Sequence, residues 1–274
     1  MTLLKHTPQE TLSKIVNTAI ASASLGNIKL PSGKEIRGQI HVLIHGRVGS
    51  GKSSILSDIE KVTKKRKVFG LTRATLVGTV DKTTASFQRP MVWDAVNSTL
   101  LIDEFHVDAK GQTREMLNFL LPLVETNPAY RKPLAFRCND FNEKKKGGLY
   151  CTVKKNVIEC RTRFVFIANT MMNLHNTKIY ELQALMTRCV LIPFNPLREE
   201  LTNILNGKHP YNYKKIVPKK KKITKKVQEN ILKLIESGVV PNENFLRVFG
   251  DLCRFYHVVG WDEELFTTVI GLCH

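Results

Sequence analysis

Gly46-Arg47-Val48-Gly49-Ser50-Gly51-Lys52-Ser53 decides how the rest of the chain is read, because it fits the spacing G-x-x-x-x-G-K-[ST] at every fixed position. Three glycines let successive backbone N–H groups face a polyphosphate without Cβ obstruction. Lys52 is then placed for the β- and γ-phosphates and the Ser53 hydroxyl for Mg²⁺, with Gly46, Gly49, Ser50, Gly51 and Ser54 completing the expected contacts. Immediately before the loop stands the apolar run Ile40-His41-Val42-Leu43-Ile44, and Ser54-Ile55-Leu56-Ser57-Asp58-Ile59 continues it with helical periodicity. Strand, loop and helix follow in the order that phosphate binding needs.

Further along, Ser98-Thr99-Leu100-Leu101-Ile102-Asp103-Glu104 is an apolar strand ending in two carboxylates. Beside a phosphate loop, that position suits an Asp orienting Mg²⁺ and a Glu activating water; elsewhere, two acids only favour the dipole of a following helix. Phe164-Val165-Phe166-Ile167-Ala168-Asn169 is a third such strand. Asn169 can hydrogen-bond the attacking water or the γ-phosphate, or simply cap the next helix. Arg188 opens a fourth apolar run, Cys189-Val190-Leu191-Ile192-Pro193-Phe194. Between these elements, Leu149 to Cys160 reads as two short strands with Lys154 and Lys155 at the tip, and Asn127 to Gly148 as a long surface connection. Asp81 to Asp94 reads as an irregular or hairpin insertion.

Upstream, Thr7-Pro8-Gln9-Glu10 has the form of a capping box, and an amphipathic helix through Ala23 follows. Downstream, 227–236, 243–258 and 263–272 are helical, with Asn242 a candidate cap. They form a small all-α unit after an α/β core.

The chain has 274 residues, enough for a substantial core without staples. Its six cysteines form no C-x-x-C pair, so neither a zinc ribbon nor a dithiol redox site is signalled, and they read as buried or free thiols in a reducing compartment. No apolar stretch approaches the ~20 residues of a membrane span and Met1–His6 lacks a secretory core, so a soluble, intracellular protein is expected, cytoplasmic or nucleoid-associated. The formal net charge is +18, which calls for a polyanionic partner. Eight lysines fall within residues 214–226, as a solvated linker or as a polyanion-binding run; without them the balance is still +10.

Taken together, Leu30-Pro31-Ser32-Gly33, Arg37-Gly38-Gln39-Ile40-His41, the phosphate loop, Leu101-Ile102-Asp103-Glu104-Phe105, the lysine hairpin, Ala168-Asn169 and Thr187-Arg188 resemble the AAA+ core of the minichromosome maintenance (MCM) replicative helicases. The resemblance covers most of residues 10–270. It implies a three-layer α-β-α P-loop AAA+ fold with a small C-terminal all-α lid, divided into a core over 1–212, a lysine-rich linker over 213–226 and the lid over 227–274. It also implies ATP and Mg²⁺ as cofactors, DNA of one or two strands as partner, a ring of identical subunits and contact with other replication proteins. Arg188 then acts as an arginine finger on a neighbour's nucleotide, Arg247 as a second sensor arginine, and Lys154 or Lys155 tracks DNA in a central channel. Four positions depart from the family pattern: Arg47-Val48 stands for Asp-Pro, Gly51 for Ala, and His106 for Asp. Two other readings use the same motifs, a superfamily 3-type viral helicase and a nucleotide-gated DNA-binding scaffold with weak turnover.

Overall fold

Apolar runs buried on both faces are what a parallel sheet demands, and they build the centre of this protein. The computed structural model describes residues 6–63, 67–69, 71–72, 79–81, 86–88, 98–105, 111–124, 129–133, 151–154, 157–161, 164–170, 180–208 and 214–272. The chain begins with α1 (Gln9–Ser22), the antiparallel pair β1 (Ile28–Lys29) and β2 (Glu35–Ile36), β3 (His41–His45), α2 (Lys52–Thr63) and β4 (Lys67–Phe69). Next come the hairpin strands β5 (Thr79–Asp81) and β6 (Ser86–Gln88), then β7 (Ser98–Phe105) and α3 (Gly111–Val124). After them lie β8 (Ala129–Pro133), β9 (Cys151–Lys154), β10 (Val157–Arg161) and β11 (Phe164–Thr170). The remainder is α4 (Tyr180–Met186), β12 (Cys189–Pro193), α5 (Arg198–Leu205), α6 (Lys225–Ser237), α7 (Phe245–Val259) and α8 (Glu263–Leu272).

Five strands form one parallel sheet in the order β12-β3-β11-β7-β4. The β3-to-β4 connection through α2 runs one way across it, and the connections through α3 and α4 run the other way. Right-handed crossovers therefore put α2 on one face and α3 with α4 on the opposite face, which gives three layers. The carboxyl-terminal helices share one buried cluster with α1 and the sheet, in which Leu12, Val16, Val42, Val190, Val248 and Phe266 take part.

Several local expectations change. Thr7 caps nothing: its N–H donates to the Pro193 carbonyl (2.8 Å), and α1 starts after Pro8 with no side-chain cap. The Gln9 N–H finds Glu200 of α5 instead (3.3 Å), and Glu200 also holds His6 (2.6 Å). A carboxylate brought by the tertiary fold has displaced the local hydroxyl. Asn242 likewise caps no long helix, since it opens a single 3₁₀ turn and α7 begins at Phe245. Within the expected surface connection, residues 129–133 pair with β10, making a three-stranded sheet β8-β10-β9. Lys225 and Lys226, expected in a linker, lie in the first turn of α6.

Candidate nucleotide site

The carboxyl end of β3 releases the chain into Gly46, and two constraints explain the glycines there. A Cβ on Gly46 would sit 2.1 Å from the Phe194 carbonyl oxygen, so this backbone can pass β12 only without a side chain. Gly49 and Gly51 adopt φ of 77° and 84°, the left-handed region that glycine enters at no steric cost. Phe194 in turn donates its N–H to His45 (2.7 Å), and the Asn195 Oδ1 accepts from the Arg47 N–H (2.7 Å). Asn195 was not among the expected site residues, although it ends an apolar strand in the same way as Asn169.

Lys52 opens α2 almost fully buried, and its ammonium donates to the carbonyls of Gly46 (3.1 Å) and Arg47 (2.6 Å) and to the Ser50 hydroxyl (3.2 Å). Burial pushes its pKa below the ordinary lysine value, and the Asp103 carboxylate opposes that shift. Ser53 donates its hydroxyl to Asp103 Oδ1 (3.0 Å), which joins the phosphate loop to the acidic strand across 50 positions of sequence. A hydroxyl and a carboxylate side by side are the hard oxygen donors that Mg²⁺ prefers, so these residues fit that ion.

β11 lies between β3 and β7, with Asn169 opposite Ile44 of β3. Along its other edge, Ala168 faces Ile102 while Thr170 faces Phe105, so Asp103 and Glu104 together oppose Asn169. This is a bulge in β7 at the two acids. Glu104 completes it with φ of 53° and stands exposed, whereas Asp103 is buried and accepts the Glu104 N–H (3.0 Å). For a residue with a Cβ the left-handed conformation costs about 1–2 kcal/mol, a strain that surrounding structure must hold in place. Of the two consecutive acids, Asp103 bonds Ser53 and Glu104 stands exposed.

A second polar cluster occupies the opposite end of the sheet. Arg37 is buried and donates to the carbonyls of Val124 and Arg188, while its own carbonyl accepts from Arg254 Nε (3.1 Å). Arg254 also pairs with the buried Asp251 (2.6 Å). Arg247 donates to the Cys189 carbonyl (2.9 Å), and the Arg188 side chain donates to the Ala184 carbonyl. Cys189 is level with His41, four residues before the end of β3. At roughly 3.3 Å per residue, Arg188 and Arg247 are therefore anchored about 13 Å from the phosphate loop of their own chain. Lys154 ends β9 opposite Val157, and Lys155 lies outside the described residues.

His41 sits in this second cluster. Burial, Arg37 and Arg254 hold its pKa well below the ordinary histidine value. An unfolded histidine takes up a proton near pH 6.5 while folded His41 does not, so the unfolded state binds more protons below that pH and stability falls as pH drops. Compared with His41→Gln, the natural chain is expected to lose more stability between about pH 7.5 and 5.5, on the order of 1 kcal/mol, read from urea midpoints. Parallel pH courses would clear His41 of the effect.

The same stretch that carries the loop and the acidic strand is what comparison with known families finds: residues 6–118 match the MCM P-loop domain. That match supports an MCM-type AAA+ core over residues 6–118. That family is one of nucleotide-hydrolysing, helicase-type ATPases, and its P-loop α/β fold is the architecture described above. No curated protein matches the chain. Asn169, Arg188, Arg247 and the lysine hairpin all lie beyond the matched MCM segment. No described helix is long and apolar enough to cross a membrane.

Proposed function

We propose that this MCM-type protein hydrolyses ATP with Mg²⁺ in a ring of identical subunits and couples hydrolysis to movement on, or opening of, DNA. The observation that carries the reading is the Ser53–Asp103 hydrogen bond with an exposed Glu104 next in sequence, which supports a hard-cation ligand pair and a candidate base beside the phosphate loop. Lys52 holds the β- and γ-phosphates, Ser53 and Asp103 hold the cation, Glu104 takes a proton from the attacking water, and Asn169 orients that water. When bound, Mg²⁺ neutralises charge on the phosphates.

The distance of Arg188 and Arg247 from their own loop supports action on a neighbour's nucleotide, since each lies at the far end of its own sheet. Lys154 and Lys155 are the proposed DNA contacts of the channel. The match over residues 6–118 favours this reading over a superfamily 3-type helicase with the same motif order.

Lys52→Ala tests the nucleotide assignment. Losing charge-assisted bonds worth about 1.5–3 kcal/mol each should weaken ATP binding by at least about 100-fold in a fluorescent-nucleotide titration. ATP affinity that stays the same in a folded variant would remove the loop from the nucleotide site.

A further inference from the structure

Residues 214–226 carry eight lysines, and the nucleotide site uses none of them. From Lys219 onward the backbone is tied to the fold. Lys219 N–H donates to the Val258 carbonyl (2.8 Å) and Lys221 N–H to the His257 carbonyl (3.0 Å), so the segment satisfies acceptors in the last turn of α7. His257 Nδ1 lies 2.6 Å from the Lys221 carbonyl oxygen. Ile223 is 2 % exposed and belongs to the main core cluster, and the Thr224 hydroxyl caps α6 by accepting the Val227 N–H (3.3 Å). Between the two anchored residues, Lys220 takes φ of 51°, a left-handed conformation that is strained for a residue with a Cβ.

The charges on this strap are arranged against stability. All eight lysines are exposed, and among the described residues none has a carboxylate within ion-pair distance. Lys225 and Lys226 occupy the first turn of α6, where the helix dipole disfavours a cation. A tether kept only for solubility needs neither a buried isoleucine nor a backbone bonded to a helix end. Those anchors also occupy one backbone edge, so the strap cannot lie extended in a protein groove as a free peptide does. What it presents outward is a row of ammonium groups, which suits a phosphodiester backbone.

We propose that Lys214–Lys226 is a rigid nucleic-acid-binding strap on the carboxyl-terminal helices, which grips phosphates without reading bases. The choice of ligand rests on the nucleic-acid partnership proposed above, but not on Lys154, Lys155 or hydrolysis. Its test is the salt dependence of binding by the full chain to fluorescein-labelled single-stranded and duplex DNA, without nucleotide.

Changing Lys219, Lys220, Lys221 and Lys222 together to Gln should lower the log–log salt slope on duplex by about two to four, at about 0.9 for each phosphate that is no longer neutralised. Affinity near 100 mM salt should fall by at least about tenfold. The unfolding midpoint should hold, because the backbone anchors remain, and the same four positions changed to Arg should keep the slope. A charge-matched variant with Lys29, Lys34, Lys208 and Lys233 changed to Gln should keep it to within about one. An unchanged slope in the strap variant overturns the inference, as does an equal loss in the charge-matched variant or equally tight, strap-dependent binding of polyglutamate. If the natural chain binds no DNA at all, the nucleic-acid reading falls with it. If DNA binding depends only on Lys154→Ala and Lys155→Ala, the strap alone falls.

Discussion

Glu104→Gln should keep ATP bound with an affinity within about threefold of the parent and lose hydrolysis by at least about 100-fold, the lower range of what a positioned general base contributes. Gln preserves the size of the side chain and its left-handed backbone, and it removes only the ability to take a proton. The structure adds a sharper variant. Because Glu104 has φ of 53°, Glu104→Gly relieves a strain of about 1–2 kcal/mol, against glycine's extra unfolded-state entropy of about 0.5–1 kcal/mol. That variant should therefore melt no lower than the parent while being as inactive as the Gln form. A chain that becomes more stable by losing its candidate base holds strain for the reaction rather than for the fold. Undiminished phosphate release by the Gln variant would falsify the assignment of Glu104.

How much of this was legible in sequence depends on whether the partner group is local. Gly46–Ser53 fixes its own geometry, and β3, β7, β11 and β12 are continuous apolar runs, so the sheet and the order of its motifs could be read directly. β4 has only three residues and β8 reads Ala-Tyr-Arg-Lys-Pro, so neither carries a pattern and both exist through pairing with β7 and β10. The Thr7 cap failed because Glu200, 191 positions from Gln9, supplies the acceptor. The Arg37 cluster was invisible because its acceptors are backbone carbonyls of Val124 and Arg188, which every residue carries. At the nucleotide site, spacing could anticipate that Ser53 and Asp103 converge. The bulge at Asp103 and Glu104 depends on the register against β11, and no local signal encodes it.

Mixing two inactive variants should restore activity, because the proposed site is divided between subunits. Arg188 is anchored at the amino end of β12 and Glu104 at the carboxyl end of β7, so one chain cannot easily bring both to a single nucleotide. Arg188→Ala keeps the backbone carbonyl of position 188, which accepts from Arg37. The side chain donates to a last-turn carbonyl of α4, a group that water can serve in its place. Arg188→Ala subunits keep Glu104, and Glu104→Gln subunits keep Arg188. In rings assembled from equal amounts, about one interface in four pairs an intact Glu104 with an intact Arg188. ATPase activity should recover toward that fraction of the parent from components each at least about 100-fold reduced, the arginine alone accounting for at least 10³-fold in related phosphoryl transfers, as an order of magnitude. Activity of the mixture should also rise with protein concentration, since the active unit is an interface. A mixture as inactive as its parts, with co-assembly shown by crosslinking, would confine Arg188 to its own chain, where its carbonyl bond to Arg37 makes it a fold residue.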